Sequence, residues 1–396
     1  MNAYHASSDL PFNPTQFRWA REWRGKSTEE TAQKLGVTEE KLHAWEAGSA
    51  APTVRQARHL AAFYERPFLE FFLPYAPNVP ALQSVPDFRL QKGASDPKAD
   101  REIQAIQAWA EEARQSALDL FALLGDAPPA LPASFHASLE TSPEKAANEA
   151  RALADLPMNA QINLKQAEQR QLTKSIRQAI ECMGVLVFKD PELGKYGVRG
   201  LAIALDPLPI IIYGNESPEA QAFTLAHELG HIALQQSSIS GQNLSRYPTG
   251  LAQRSEKWCD AFAAAFLVPS SELMLQWPKP NQPEKTISDE TLQKLASFFS
   301  ISRHAMLVRL VDLGYVEADY YWSKKRPEFL QKEANYKAGG RATYYGSRFR
   351  NAYGDLYTGL VLDAWGNGEL TNHHAAELLG VKNINHLNDI KEHFVS

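Results

Sequence analysis

Cysteine is almost missing: Cys182 and Cys259 are the only two in 396 residues, far apart and without partners at metal-ligand spacing. A disulfide framework is excluded, and a reducing compartment is the natural home for such a chain. An excess of one charge is missing too. Forty-one Lys and Arg stand against 46 Asp and Glu, a net charge of -5, so any contact with nucleic acid must be local. Long apolar runs are absent: the most apolar stretch, 200–214, is broken by Asp206, Pro207 and Pro209 and is too short to span a bilayer. The opening residues MNAYHASSDLPFNP have neither a basic nor an apolar region of signal-peptide type. No low-complexity tract and no solenoid-type repeat is found. The expectation is a soluble, cytoplasmic chain with no membrane partner, long enough for two to four domains.

Residues 14–75 carry helical periodicity throughout. Asn13-Pro14 reads as a cap and first position, followed by Phe17, Trp19, Ala20 and Trp23, with Gly25 as the stop. Thr28 opens a second helix ended by Gly36, and Thr38 caps a third closed by Gly48. A fourth helix follows Pro52, and a short fifth covers 68–72. Residues 76–141 read as a proline-rich linker and a long amphipathic helix (98–124), a candidate dimer seam. From 142 to 280 the texture is mixed: helices at 143–153 and 163–183, strands at 184–188, 200–205 and 209–213, then helices at 218–235 and 253–268. A helical pair follows in 281–320. The remainder, 321–396, holds a basic segment and two short C-terminal helices. Between 324 and 350, eight Lys and Arg oppose two Glu among several tyrosines, which reads foremost as a solvated run on a loop-rich segment. The predicted fold is multidomain and mainly α, with an α+β middle built of a small sheet and a buried helix.

Within Thr224-Leu-Ala-His227-Glu228-Leu-Gly-His231 lies H-E-x-x-H. Residues four apart on a helix share a face, so both imidazoles can reach one ion at about 2.0–2.1 Å. Glu228 can then act on water as a base without binding the ion. The helix is apolar at Phe223, Leu225, Ala226, Leu229 and Ile232, and two imidazoles and a carboxylate are costly to bury unless paired or metal-bound. Glu256, Asp260 and Glu272 are the candidates for a third ligand. Glu256 and Asp260 sit one turn apart beside the stripe Cys259, Phe262, Ala263, Phe266. Glu256 is assigned as third ligand and Asp260 as acceptor for an imidazole N–H, with Asp260 a competing ligand.

Four blocks in order (Gly200-Leu-Ala; Pro209-Ile-Ile-Ile-Tyr-Gly-Asn; Phe223 to Ile232; and Glu256…Asp260-Ala-Phe-Ala-Ala…Leu-Val-Pro269) resemble the ImmA/IrrE family of zinc metallo-endopeptidases over about 180–275. The resemblance implies Zn2+, His227, His231 and Glu256 as ligands, and Glu228 as general base. Where the family commonly has Asn, this chain has Asp260. The resemblance also suggests an edge strand beside the active helix that takes up an extended peptide. Ile210, Ile211, Ile212 and Tyr213 are its candidate, since a proline precedes them.

Residues 14–74 resemble the XRE-type, Cro/repressor-like helix-turn-helix domain through Phe17, Ala20-Arg21, Thr28, Glu30-Thr31-Ala32, Leu35-Gly36-Val37, Leu42 and Trp45-Glu46-Ala47-Gly48. The resemblance implies that the third helix enters the major groove, with Thr28, Thr38, Glu39, Glu40, Lys41 and His43 facing DNA. Glu39 and Glu40 stand where the family often has Gln or Ser. Nine Lys and Arg balance nine Asp and Glu within residues 1–75, so a single copy is expected to bind weakly and operator binding to need a homodimer. Fusions of this kind resemble transcriptional regulators in which a peptidase acts on a regulatory partner. The alternative is an antitoxin-like repressor whose zincin domain grips a partner, such as a PIN-like toxin, without hydrolysis.

Overall fold

The computed structural model describes residues 11–24, 26–64, 66–75, 97–162, 164, 169–241, 250–277, 286–334 and 345–395. The expected stop at Gly25, the linker after 75, the helix start at 163 and residues 335–344 of the basic run lie outside these. The described residues fall into two compact units, one of 11–75 with 97–107 and the other from 108 onward.

In the first unit four helices form as the spacing predicts: α1 (Pro14–Trp23), α2 (Thr28–Leu35), α3 (Glu39–Ala47) and α4 (Val54–Tyr64). Asn13 caps α1 by accepting from the N–H of Thr15 at 3.1 Å. Ser27 and Glu30 form a reciprocal capping box on α2. The fifth element, Phe68–Phe72, is a 3-10 turn. Phe17, Leu42, Trp45, Leu60, Tyr64 and Phe71 make the core of this unit. A bidentate pair ties α1 to α3: Arg21 donates to Glu46 at 2.6 and 2.9 Å, with Glu46 buried.

Helix α5 (Pro97–Leu124) leads into the second unit. There α6 (Pro143–Leu153) and α7 (Gln169–Cys182) precede β1 (Leu186–Lys189), β2 (Val198–Ile203) and β3 (Ile210–Tyr213). After them come α8 (Pro218–Ala233), β4 (Ser238–Gly241), α9 (Leu251–Leu267) and α10 (Ser270–Gln276). Among the described residues the strands form one sheet in the order β1-β3-β2-β4, with β1 parallel to β3 and the other pairings antiparallel.

This order corrects the reading of Ile210, Ile211, Ile212 and Tyr213 as an edge. Strand β3 is bonded to β1 on one side and β2 on the other, and all four residues are buried. An unbroken apolar run is the mark of a strand covered on both faces. Pro209 lies just outside the strand, where its carbonyl accepts from Leu186 N–H at 2.8 Å. The edge nearer the active helix is β4, Ser-Ile-Ser-Gly, whose composition gives little strand signal.

One apolar cluster runs from Phe135 to Phe329 and takes in α6 to α9 together with α11 (Asp289–Phe298) and α12 (Arg303–Asp312). Helices α8 and α9 pack closely because Gly230 lets them: a Cβ there would stand 3.3 Å from Cα of Cys259 and 3.2 Å from the Phe262 ring. The first part of the basic segment is helical and packed rather than loop-rich. It forms a π-helical turn (Tyr320–Lys325) and α13 (Arg326–Ala334). Tyr321 and Phe329 join the core, and Lys325 is buried against Asp289 at 2.7 Å and Glu328 at 3.2 Å. An unforeseen α14 (Tyr345–Gly366), kinked at Gly354, packs on β1 and α7. Helices α15 (Asn372–Leu378) and α16 (His386–Val395) follow. Among the described residues no single helix is long and apolar enough to cross a membrane; one bent pair, α9 with α10, passes by length and composition alone.

Candidate metal centre

Helix α8 begins with Ser217 capping and Pro218 at its first position, and it then runs buried through His227, Glu228 and His231. Helix α9 lies across it and delivers Glu256 and Asp260 to the same point. The Nε2 atoms of His227 and His231 face each other at 3.3 Å. Glu256 faces both, with Oε1 2.9 Å from Nε2 of His231 and Oε2 3.5 Å from Nε2 of His227. Among the described residues these three form a buried group able to hold a metal ion. Glu272 falls on α10, apart from that group.

Tetrahedral donors 2.0–2.1 Å from a zinc ion stand about 3.3 Å from one another. The three separations here, 2.9, 3.3 and 3.5 Å, bracket that value. The donor types fit equally well. On the far side of His227, Nδ1 lies 3.0 Å from Oδ1 of Asp260. A ring that donates its Nδ1–H to Asp260 keeps a lone pair on Nε2, aimed at the other donors. Burial works against charging His227, but bonds to Asp260 and Glu256 outweigh it and hold its pKa well above 6.5. Burial likewise raises Glu256, yet the two imidazoles bring its carboxyl down to about 2.

Glu228 is fully buried beside this group. Ser238 of β4 donates to Oε2 at 3.4 Å. Burial lifts the carboxyl above its ordinary value; the two imidazoles and the Ser240 hydroxyl pull the other way. Space for it comes from Gly200 on β2, where a Cβ would come within 2.8 Å of the Glu228 carboxyl carbon. Ser238, Ser240 and the role of Gly200 are site features that the sequence reading missed. Only the glycine left a signal, a small residue inside a strand pattern.

Residues 180–311 match the family model of the IrrE N-terminal-like domain. A helix-turn-helix domain model matches residues 15–67. The two matches stand in the order that the sequence resemblance implied. The IrrE-like segment has a metallopeptidase-type fold, and it contains β1 to β4, α8, α9 and all five residues described above. No curated protein matches the chain.

In the helix-turn-helix segment Thr28 opens α2, Thr38 to Lys41 form the start of α3, and His43 falls in its middle. Thr38 caps α3, accepting from Lys41 N–H at 3.3 Å. The Thr28 hydroxyl donates to Glu39 at 2.8 Å and so joins the two helices. Glu39, Glu40, Lys41 and His43 are exposed and Thr28 is half-buried. The Lys41 ammonium lies 5.8 Å from the Trp45 ring centroid.

Proposed function

We propose that this chain is a zinc-dependent endopeptidase coupled to a DNA-binding domain, hydrolysing a peptide bond in a regulatory protein partner. The observation that carries the proposal is the buried His227, His231 and Glu256 donor set with the Glu228 carboxylate beside it. When bound, zinc lowers the pKa of water toward about 7 and polarises the scissile carbonyl. The chain's own residues do the rest. Asp260 fixes the tautomer of His227. Glu228 takes the proton of the attacking water and returns it to the departing amine. Gly200 leaves the carboxylate room to make that exchange. The β4 edge, which carries Ser238 and Ser240, is the strand along which an extended peptide would lie.

The helix-turn-helix segment supports binding to a double-stranded operator. The even charge balance of residues 1–75 favours a homodimer, because one copy neutralises few phosphates. The reading is tested by incubating zinc-loaded protein with candidate regulatory partners, wild type beside Glu228→Ala. The expected result is specific cleavage by the wild type and none by the variant. Equal cleavage by both would remove Glu228 from the chemistry. Tight partner binding without cleavage would favour the repressor that only grips its partner.

A further inference from the structure

Next to the metal-ligand group a cavity of about 160 Å3 opens between α8, α9, α12 and the π-helical turn at Tyr320–Lys325. Glu228, Ser240 and Asp260 stand on its polar side, where Arg199, paired to Glu216, Asp312, paired to Arg309, and Lys257 also reach the lining. The apolar part of the wall is Phe223, Ala261, Ala305, Val308, Val311 and Trp322. All of these but Ala305 are half-buried, so they keep apolar surface turned toward the cavity. Phe223 lies one turn before His227, with ring centroids 6.4 Å apart. The apolar wall therefore starts directly beside the reacting group.

That wall is braced from behind. Trp322 carries the Arg326 guanidinium over its face at 5.0 Å and meets the Tyr321 ring edge-on at 5.3 Å. Tyr321 is buried, and its hydroxyl lies 3.0 Å from Nε2 of His304. The His304 ring in turn stacks on Phe329 at 5.1 Å. The IrrE-like match ends at residue 311, and Trp322 lies outside it.

Size and chemistry restrict the occupant. An apolar cavity of roughly 150 Å3 accommodates a benzene-sized molecule, so this one holds a single aromatic or branched aliphatic side chain. A charged side chain laid against Phe223, Val308 and Trp322 would give up hydration that those residues cannot replace. We propose that the cavity is a specificity pocket for one aromatic or branched aliphatic side chain of a peptide, adjacent to the bond that is cut, and that Val308 and Trp322 set its size. This rests on the peptidase reading for what the bound peptide then undergoes; the binding itself needs no hydrolysis.

Two measurements separate those parts. In the first, the full-length Glu228→Gln protein is titrated by ligand-observed NMR with N-acetyl-phenylalaninamide, N-acetyl-leucinamide and N-acetyl-glycinamide. The first two should bind at least about tenfold more tightly than the third. Val308→Trp, which fills the cavity, should erase the difference, and Val311→Phe one turn on provides a second filled variant should the first not fold. In the second, zinc-loaded wild type is given a peptide library and the cleaved bonds are read by mass spectrometry. One fixed position should hold Phe, Leu, Ile or Met, moving to Gly or Ala in the filled variants. Equal binding of the three amides, or a preference unchanged in a folded filled variant, overturns the pocket. Apolar binding without any cleavage would leave the pocket standing and count against the peptidase.

Discussion

Asp260 meets the outer nitrogen of His227 at 3.0 Å, the contact expected of an orienting carboxylate rather than of a ligand. Asp260→Asn keeps an acceptor and should keep zinc, whereas Asp260→Ala should weaken zinc by about 10–100-fold, read by chelator competition. Similar losses in both variants would instead assign a charged ligand. Proton competition gives a second prediction at this scale. His227 is raised above its ordinary 6.5, so its proton stabilises the metal-free fold fully below that pH, and the gain fades as pH rises through the folded value. Glu256 behaves oppositely: held at about 2, it stabilises above its ordinary 4.5 and loses that contribution as pH falls toward 2. Zinc must displace the proton on His227, so its affinity should rise with pH by up to about tenfold per unit until the raised His227 value is passed. A flat profile would mean that His227 is not a ligand.

Among the elements, Gly200 connects sheet geometry to chemistry. Its missing Cβ is what seats the Glu228 carboxyl, so Gly200→Ala should move the carboxylate, keep zinc, and lower kcat by about a hundredfold. An unchanged kcat would free Glu228 from this constraint. The Arg21–Glu46 pair is the corresponding device in the other unit. Glu46→Ala leaves a largely buried guanidinium without its partner and should cost about 3 kcal/mol in chemical unfolding, with zinc content unaffected. Helices of this fold were legible because caps and apolar stripes are local signals: Asn13, Thr38, Gly36 and Gly48 bound their helices where the sequence puts them. H-E-x-x-H was legible for the same reason, two imidazoles four residues apart on one face. Glu256 and Asp260 could be paired by spacing, but the approach that brings them to the imidazoles is tertiary. Pairing order is tertiary as well, which is why a proline misplaced Ile210 to Tyr213 at an edge and why β4 went unseen. The basic run hid helices because its charges mask the Tyr321 and Phe329 anchors.

For the whole molecule, a net charge of -5 and a balanced helix-turn-helix segment leave few cations for phosphate contact. Lys41→Ala should reduce the slope of log affinity against log salt by about one, measured by anisotropy on the operator, and an unchanged slope would place Lys41 off the DNA. Everything said of hydrolysis depends on a resident cation, so the decisive measurement is zinc content per chain by elemental mass spectrometry on the full-length protein. One zinc is expected in the wild type and in Glu228→Ala, and essentially none in His231→Ala or Glu256→Ala. Zinc retained by folded His231→Ala and Glu256→Ala proteins, or absent from a wild type purified without chelator and offered zinc, would contradict the account.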